Sequence, residues 1–507
     1  MGKEIELKFQ VRPRELRKLK DSPTLRGKPS EEEDLVSVYF DTPTHKLARN
    51  GVTLRVRRRG DKFFQTVKSG GFNGSFRRGE WEHEIKGALP NLREARGTPL
   101  APLLTKKLKR HLEPVFETRI HRASIPVRKN RALIEVALDR GQISSSRRST
   151  PVGELELELK RGKVSGVFKL ARQITRRVPA TLSLKSKSEQ GYDLIEKKET
   201  GARPAEKISV RRGISTADAF RSIGRSALRQ IAANGPAVEN FDSEGVHQMR
   251  VGLRRIRAAI SLFGELLGDR QTKRIKSELK WLTGELAPAR EFDVYQKNEI
   301  QPLRGVAPGK RGMKELAGTV ASRREAAFAK AKNAVNSPRY RLLLLDTMQW
   351  LEIGGWAKRS RRYGDQPIDR SASDILAKRR KKIIKKAKRF RQLDERQQHK
   401  LRIAAKKLRY ACDFFENLFS GRKSKKRLSA FQERLEALQD QLGALNDIRV
   451  DRKMASKLVA GTPRRTRPQQ VFAAGFVTGQ EGAEIQPLLE GAEKAANKLA
   501  QIKPLWK

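Results

Sequence analysis

Near the start of the sequence stands Lys3-Glu4-Ile5-Glu6-Leu7-Lys8-Phe9, in which polar and apolar side chains alternate strictly. This period of two predicts a β-strand with one apolar and one charged face. The two glutamates would lie about 6.6 Å apart along the strand, and carboxylates at that distance repel each other unless a cation lies between them. A second stretch, Glu154-Leu155-Glu156-Leu157-Glu158-Leu159-Lys160, has the same pattern. The two acidic strands therefore predict one site for a divalent cation.

Basic side chains alternate in the same way along other strands of the first half. In the predicted strand from Thr53 to Arg59, three arginines, Arg55, Arg57 and Arg59, share one face. Eight or so antiparallel strands with one charged face each are best closed into a barrel whose charged faces point inward. Guanidinium groups bind phosphate oxygens through paired hydrogen bonds, and carboxylate sites favour Mg²⁺ or Mn²⁺. The first half is thus predicted to form a tunnel for a linear polyanion and a metal ion.

Composition limits the class of protein and of partner. A chain of 507 residues is too long for one core and should form at least two domains. Lys and Arg number 111 against 57 Asp and Glu, a formal net charge of +54, which favours polyanionic partners such as nucleic acid, an acidic membrane surface or polyphosphate. The single cysteine, Cys412, fits a reducing compartment. No apolar leader or membrane-length apolar run is present, so we expect a cytoplasmic protein without a membrane span.

Beyond a polar segment with Gly and Pro, the apolar period changes from 2 to 3.6, which predicts helices. Here the stretch from Val246 to Arg257 returns in register as the stretch from Gln398 to Arg409. Each copy has an apolar stripe, formed by Met249, Leu253, Ile256, Ile260 and Phe263 in the first and by Leu401, Ala405, Leu408, Cys412 and Phe415 in the second. Beside it runs a basic stripe, formed by His247, Arg250, Arg254 and Arg257 in the first and by His399, Arg402, Lys406 and Arg409 in the second. Two matched basic stripes favour an anion-binding surface, whereas Arg255, on the opposite face, is predicted to be exposed.

The first half resembles the CYTH family, the triphosphate tunnel metalloenzymes, over roughly residues 1–200. The resemblance rests on motifs in family order: Glu4-x-Glu6-x-Lys8, Tyr39-Phe40-Asp41-Thr42, Leu54-Arg55-x-Arg57, Lys68, Arg78-x-Glu80-x-Glu82, Arg122, Glu135 with Asp139, Glu156-x-Glu158 and Lys187-Ser188. It looks most like the inorganic triphosphatase branch, which implies hydrolysis of tripolyphosphate with Mg²⁺ or Mn²⁺.

The same resemblance implies roles for individual residues. Catalysis would depend on Glu4, Glu6 and Lys8; metal would be held by Glu4, Glu6, Glu156 and Glu158; and phosphates would be held by Lys8, Arg55, Arg57, Lys68, Arg122 and Lys187. The spacing also permits Arg119 in place of Arg122, and Glu154 in place of Glu158.

The duplicated helices resemble the CHAD domain over roughly residues 210–507. This resemblance implies two four-helix bundles related by pseudo-twofold symmetry, with polyphosphate bound on a basic surface between them. The whole chain is therefore predicted to be a two-domain α+β protein: an eight-stranded tunnel over residues 1–200, a linker over 201–215, and an all-α domain over 216–507 with repeats at about 216–352 and 371–507. Loops are predicted over residues 70–74 and 461–470.

The leading functional prediction is a metal-dependent inorganic triphosphatase with an attached polyphosphate-binding domain. The tunnel residues alone also fit a thiamine triphosphatase or a class IV-type adenylyl cyclase, since each grips a triphosphate. A non-catalytic protein of polyphosphate granules, or a nucleic-acid-binding protein, is the alternative outside the enzymes. The intact carboxylate pairs disfavour a degenerate barrel, and an aromatic content of 6% provides few platforms for base stacking. Association with polyphosphate granules in the cytoplasm also stays open.

Overall fold

The computed structural model describes residues 3–69, 77–146, 148–198, 201–208, 210–303, 310–359, 361–419, 421–460 and 467–502. The chain divides into two compact units. The first unit comprises residues 1–204, 228–249 and 334–354, and the second comprises residues 205–227, 250–333 and 355–507. The predicted loop over 70–74 and most of that over 461–470 lie outside the described residues. In the ranges given above, no helix has both the length and the apolar character needed to cross a lipid bilayer.

The first unit is built on one antiparallel sheet. Its nine described strands are β1 (Lys3–Gln10), β2 (Glu31–Asp41), β3 (Val52–Arg59), β4 (Lys62–Ser69), β5 (Arg77–Ile85), β6 (Glu113–Lys129), β7 (Ala132–Ser145), β8 (Arg148–Gly162) and β9 (Thr181–Ser183). They follow the order β5-β4-β3-β2-β6-β7-β8-β1-β9, and β1 also pairs with β5. The predicted antiparallel sheet is confirmed, with short β9 as an additional strand beside β1. Its closure into an eight-stranded tunnel stays a prediction.

The alternation along β1 separates an apolar face from a charged one. Leu7 and Phe9 are buried, whereas Glu6 and Lys8 on the other face line a cavity. Similarly, Leu54 and Val56 of β3 pack in one apolar cluster with Leu100, while Arg55 and Arg57 line the cavity. The apolar faces of these strands therefore form the core outside the sheet, and the charged faces line the cavity.

Short helices and turns cover the apolar faces of the sheet. The helices are α1 (Pro13–Lys20), α2 (Lys46–Arg49), α3 (Lys106–Arg110), α4 (Val164–Thr175) and α5 (Lys187–Glu196). α4 packs against β6, β7 and β8. A Cβ at Gly166 would lie 2.6 Å from the Ala132 Cβ and 2.8 Å from the Lys129 carbonyl oxygen, so this close approach of helix to sheet needs glycine.

The remainder of the chain is helical, as the 3.6 period predicts. The helices are α6 (Thr216–Ala233), α7 (Gly235–Glu239), α8 (Ser243–Leu262), α9 (Arg270–Tyr295), α10 (Gln301–Leu303), α11 (Lys310–Asn336), α12 (Pro338–Ile353), α13 (Trp356–Arg359), α14 (Arg361–Gly364), α15 (Ile368–Ala387), α16 (Glu395–Phe415), α17 (Arg422–Ala460), α18 (Arg467–Ala483) and α19 (Ile485–Gln501). The loop predicted over 461–470 is wrong for its last four residues, because Arg467 begins α18 and Pro468 suits the first turn of a helix. The arrangement as two four-helix bundles stays a prediction.

Both predicted apolar stripes are core. All ten of their side chains are buried, including that of Cys412. In the second unit the rings of Phe263 and Phe415, which close the two stripes, lie 6.1 Å apart. The two copies of the repeat therefore pack against each other through their apolar faces at this point.

Candidate functional site

A cavity of about 790 Å³ in the first unit is lined mainly by charged side chains. All six predicted phosphate-binding residues contribute to its wall, namely Lys8, Arg55, Arg57, Lys68, Arg122 and Lys187. Arg119, the alternative to Arg122, is exposed and pairs with Glu117 instead. The alternation along β3 places Arg55 and Arg57 on the cavity side because Leu54 and Val56 are held in the core.

Three carboxylates form a row across adjacent strands on one side of the cavity. Glu6 of β1 stands opposite Glu158 of β8, which in turn stands opposite Glu135 of β7. Directly opposed residues have Cβ atoms about 5 Å apart, and all three side chains line the cavity. The side chain of Glu4 lies outside the described structure. The row offers carboxylate oxygens from three adjacent strands, the donor type that a hard divalent cation prefers.

A second set of carboxylates is buried around the ammonium group of Lys187. Lys187 Nζ lies 2.7 Å from Asp139 Oδ2 and 2.9 Å from Glu156 Oε1, and it also donates to Glu154. Lys8 Nζ donates to Glu156 Oε1 at 2.7 Å. Arg122 donates to Asp139 at 2.6 and 2.7 Å and to Glu156 at 2.5 Å. Three cations and three carboxylates thus form one buried network.

The pKa values in this network follow from burial and from these pairings. Burial alone would raise the pKa of Glu156, but Lys187, Lys8 and Arg122 outweigh burial and hold it well below its ordinary value. Burial would likewise lower the pKa of Lys187, but Asp139, Glu154 and Glu156 raise it well above its ordinary value. Both groups are therefore charged at neutral pH.

Arg57 differs from the other five cations in having no ion-pair partner among the described residues. Its Nε donates to Ser37 Oγ at 3.0 Å. Burial, followed by repulsion from Arg55, lowers the pKa of Arg57 to about 9. In the same wall, Arg55 Nε and Arg59 Nε are buried without a hydrogen-bond partner in the described part of the chain. Buried donors without acceptors are costly, so this wall is prepared for an anion with several oxygens.

The carboxylates differ in how well they fit a divalent metal. Oxygens of Asp139, Glu154 and Glu156 lie within 4.8 Å of one another, but the cationic side chains of Lys8, Arg122 and Lys187 already neutralise this group. Glu6, Glu135 and Glu158 are hard oxygen donors on the cavity wall, paired only with Lys8 and Lys160 at 2.8–3.3 Å in the described structure. The row therefore fits a cofactor ion better than the buried network does.

In the second unit, basic side chains of α8 and α16 come together. Arg254 of α8 donates through Nε to the hydroxyl of Tyr410 on α16 at 3.3 Å. Burial, then repulsion from Arg402 and Arg254, lowers the pKa of Lys406 to about 8. Burial, then repulsion from Arg254, lowers the pKa of Arg250 to about 10. We call Arg250, Arg254, Arg402 and Lys406 the basic cluster. Repulsion within this cluster makes the charged forms of Arg250 and Lys406 less favourable.

Few of the described carboxylates and hydrogen-bond acceptors lie close to the basic cluster. Arg402 lies 3.8 Å from the exposed Asp447, and Arg250 donates to the Thr283 carbonyl at 3.5 Å. The Nε atoms of Arg250 and Arg402 are buried without a hydrogen-bond partner in the residues that the structure describes. An anion with several oxygens would supply both the missing acceptors and the missing charge.

The comparisons with known proteins identify two families along the chain. Residues 2–192 match the CYTH domain, and residues 222–456 match the CHAD domain. The chain carries a CYTH domain followed by a CHAD domain. Both resemblances predicted from the sequence are confirmed.

Part of the chain also matches a curated protein. Over 167 residues the chain is 30% identical to an inorganic triphosphatase of Haemophilus influenzae. This alignment covers 32% of this chain and 46% of that protein, so the chain spans about half the length of the curated relative.

Two solved structures are similar to parts of this chain. The crystal structure of the CHAD domain from the plant Ricinus communis has a TM-score of 0.51 and 27% identity, covering 60% of this chain and 98% of that chain. PptA from Streptomyces chartreusis has a TM-score of 0.39 and 16% identity, covering 55% of this chain and 99% of that chain.

In the CYTH domain, sequence reasoning gave no role to several residues of the cavity wall, although it quoted Glu80 and Glu82 as part of a motif. Glu80 pairs with Lys68 at 2.9 Å and with Arg55 at 3.5 Å, and the acidic run from Glu31 to Glu33 also lines the cavity. The alternation of Glu80 and Glu82 repeated that of Glu4 and Glu6 and could have revealed the first set. Glu156, predicted to bind metal, is paired with Lys8, Arg122 and Lys187 and also lies with Asp139 and Glu154 in an acidic group, so its role as a metal ligand stays a prediction.

In the CHAD domain, the basic stripes are distributed over several environments. Arg250, Arg254, Arg402 and Lys406 form the basic cluster, while His399 Nδ1 lies 2.9 Å from Asn446 Oδ1, Arg409 lies 3.8 Å from Glu436, and Arg257 is exposed. His247 is half-buried on the part of α8 that belongs to the first unit. The prediction that Arg255 is exposed is wrong. It is 6% exposed and donates to the Glu206 carbonyl at 3.2 Å, because the segment before α6 covers that face of α8.

Proposed function

We propose that the CYTH domain hydrolyses inorganic triphosphate with a divalent cation, Mg²⁺ or Mn²⁺, and that the CHAD domain binds long-chain polyphosphate. The observation that carries the first part is the convergence of six cations and a row of three carboxylates on one cavity. Kinship with an inorganic triphosphatase supports the same reaction. The cytoplasmic location stays a prediction.

The cavity suits phosphoryl transfer because that reaction depends on positioning and charge stabilisation rather than on covalent help from protein. Arg57 and the neighbouring arginines would bind phosphate oxygens on one wall. Lys8 and Lys187 would bind them as point charges from the opposite side. These groups would hold the chain of phosphates in line and neutralise the charge that spreads over its oxygens in the transition state.

Glu6, Glu158 and Glu135 are the residues that would hold the metal, with Glu4 as the further predicted ligand. A bound divalent cation would supply Lewis-acid stabilisation of phosphate oxygens and a water of lowered pKa. Glu158 completes this row, whereas Glu154 is buried beside Lys187, which favours Glu158 in the choice that the sequence left open.

A substrate panel tests the proposed reaction directly. Phosphate release would be measured from tripolyphosphate, thiamine triphosphate, ATP and long-chain polyphosphate, each with Mg²⁺ or Mn²⁺. We expect tripolyphosphate to have the highest kcat/KM. Faster turnover of thiamine triphosphate, or cyclic nucleotide formed from ATP, would contradict the proposal, as would the absence of turnover on every substrate.

Reversing one charge of the basic cluster should remove polyphosphate binding by the CHAD domain. In the full chain with chelator present, Arg402→Glu should weaken binding of long-chain polyphosphate by about 10²-fold or more, because a carboxylate replaces a half-buried donor. Binding by the unaltered chain should fall steeply with salt, as counterion release from a polyanion requires. Fluorescence anisotropy of labelled polyphosphate measures both effects.

Lys400→Glu is the matched control for this reversal. Lys400 is exposed on the same helix, α16, so the change in net charge is equivalent. It should alter affinity only slightly. Equal losses for Arg402→Glu and Lys400→Glu would show that net charge alone drives binding, and the basic cluster would then be an ordinary solvated surface.

Polyphosphate binding should also depend on pH through Lys406. Its pKa is lowered to about 8 by burial and by Arg402 and Arg254, and bound phosphate would raise that pKa. Affinity should therefore be full below pH ~8 and fall about tenfold by pH ~9, with proton uptake on binding in this window. Lys406→Arg, which stays charged, should make affinity nearly independent of pH, and a flat profile for the unaltered chain would contradict this assignment.

A further inference from the structure

Lys187 lines the triphosphate cavity as the first residue of α5, and its placement depends on the cap of that helix. Ser186 is the N-cap: its Oγ accepts a hydrogen bond from the Glu189 backbone N–H at 3.2 Å. Glu189 Oε2 accepts from the Ser186 backbone N–H at 2.7 Å. This reciprocal capping box fixes the first turn of α5. The position of the Glu189 side chain therefore determines the position of Lys187, which lies in that turn.

The other oxygen of Glu189 is bound by a residue far along the chain. Arg229 on α6 donates through Nη2 to Glu189 Oε1 and through Nη1 to the Leu184 carbonyl at 3.3 Å. Both Arg229 and Glu189 lie in the first unit, and only about a tenth of each side chain is exposed. Arg229 nevertheless lies within the match to the CHAD domain.

A second connection holds the later part of α5. Arg203 Nη1 donates to Asp193 Oδ1 at 2.7 Å. The backbone of Arg203 is in turn fixed by Asn234, which accepts from its N–H at 2.8 Å and donates to its carbonyl at 2.9 Å. Asn234 is fully buried just after α6. Residues that follow the CYTH match therefore hold α5 near both of its ends.

We propose that Arg229 is a positioning residue for the triphosphate site: by holding Glu189, it fixes the capped turn that places Lys187 in the cavity. This inference rests on the proposed function and extends it, because it makes the CHAD match a structural part of the CYTH active site. Glu189 is a buried carboxylate that needs a charged donor. Without Arg229, the Glu189 side chain would turn toward water, and the cap and Lys187 would shift with it.

The test compares Arg229→Ala with the unaltered full chain in tripolyphosphate hydrolysis. A displacement of about 1 Å at a binding group can cost up to 10²-fold in rate. We expect kcat/KM to fall about tenfold or more, chiefly through a higher KM for tripolyphosphate. The half-saturating concentration of Mg²⁺ should not change, because Glu6, Glu158 and Glu135 pair with Lys8 and Lys160 rather than with Lys187. Arg229→Lys, which keeps the charge but cannot reach both acceptors, should recover part of the loss.

Coupling to Glu189 separates positioning from general stability. The double variant Arg229→Ala/Glu189→Gln should have a kcat/KM no lower than that of the less active single variant, because both changes break the same contact between Arg229 and Glu189. Arg172→Ala is the matched control. Arg172 binds Asp346 and donates to Gln349 at 2.8 Å, a comparable contact in the same unit that does not involve α5. It should leave kcat/KM unchanged.

Three results would overturn the inference: an unchanged kcat/KM in Arg229→Ala, an equal loss in Arg172→Ala, or fully additive losses in the double variant. Should Arg229→Ala fail to fold, Arg229→Lys carries the same comparison. If the unaltered chain hydrolyses no triphosphate, the proposed function fails separately. Calorimetric affinity for tripolyphosphate would then test Arg229, with weaker binding expected in Arg229→Ala and equal binding contradicting its role.

Discussion

Glu6→Gln should lower the rate of tripolyphosphate hydrolysis by ~10²-fold or more, through loss of metal-based charge stabilisation. Glu6 stands opposite Glu158 in the carboxylate row and lines the cavity. An amide has one oxygen donor and no charge, so the variant should also need a higher concentration of Mg²⁺ for half-maximal rate. Lys8 keeps its 2.7 Å hydrogen bond to Glu156 in this variant, so the fold should be retained. Phosphate release across a Mg²⁺ titration, with circular dichroism for folding, is the measurement.

Glu117→Gln is the control for Glu6→Gln. Glu117 is also a strand glutamate with a basic partner, Arg119 at 2.5 Å, but it does not line the cavity. Its loss should leave the rate within about twofold of the unaltered chain, the small effect typical of a surface ion pair. A normal rate in Glu6→Gln would place the catalytic site elsewhere.

Arg57→Ala should weaken both substrate binding and turnover, with a loss of about 10²-fold in kcat/KM, the effect of removing one prepared donor to a developing anion. Arg57 is the predicted phosphate-binding cation for which the described residues provide no carboxylate. Its guanidinium is thus available to phosphate without first breaking an ion pair. Removal of a buried charge that lacks a counterion should leave the thermal midpoint equal or higher, so lower activity would not reflect unfolding. Steady-state kinetics and thermal unfolding measure the two effects.

Two further variants make this result specific. Arg57→Lys should retain an intermediate activity, because an ammonium provides charge without the paired geometry of a guanidinium. Arg119→Ala, which removes an exposed arginine from a strand of the same sheet, should be near normal. Unaltered kinetics in Arg57→Ala would mean that the basic wall does not bind substrate.

The local period of the sequence determined the strands and helices and which face of each is core. The alternation around Glu6 and the 3.6 period around Met249 each require apolar side chains on one face, and burial of that face follows from the hydrophobic effect. For the same reason, β3 turns Arg55 and Arg57 toward the cavity, and all ten residues of the two apolar stripes along α8 and α16, with Phe263 just after α8, are buried. The repeat could likewise be recognised because a duplicated helix keeps its register.

Partners that are distant in sequence were decided only by the tertiary structure. The sequence gives Glu156 and Glu158 equivalent places on one strand, but pairing with β1 sets Glu158 opposite Glu6 and Glu156 opposite Lys8. The helical period also predicts that Arg255 lies on an exposed face of α8, but the segment around Glu206 covers that face. Arg229 has no local signal of its role, since its partner Glu189 lies forty residues earlier. The period of the sequence determines the face on which a side chain lies. Its charged partners depend on strand register and helix packing, which arise only when the whole chain is folded.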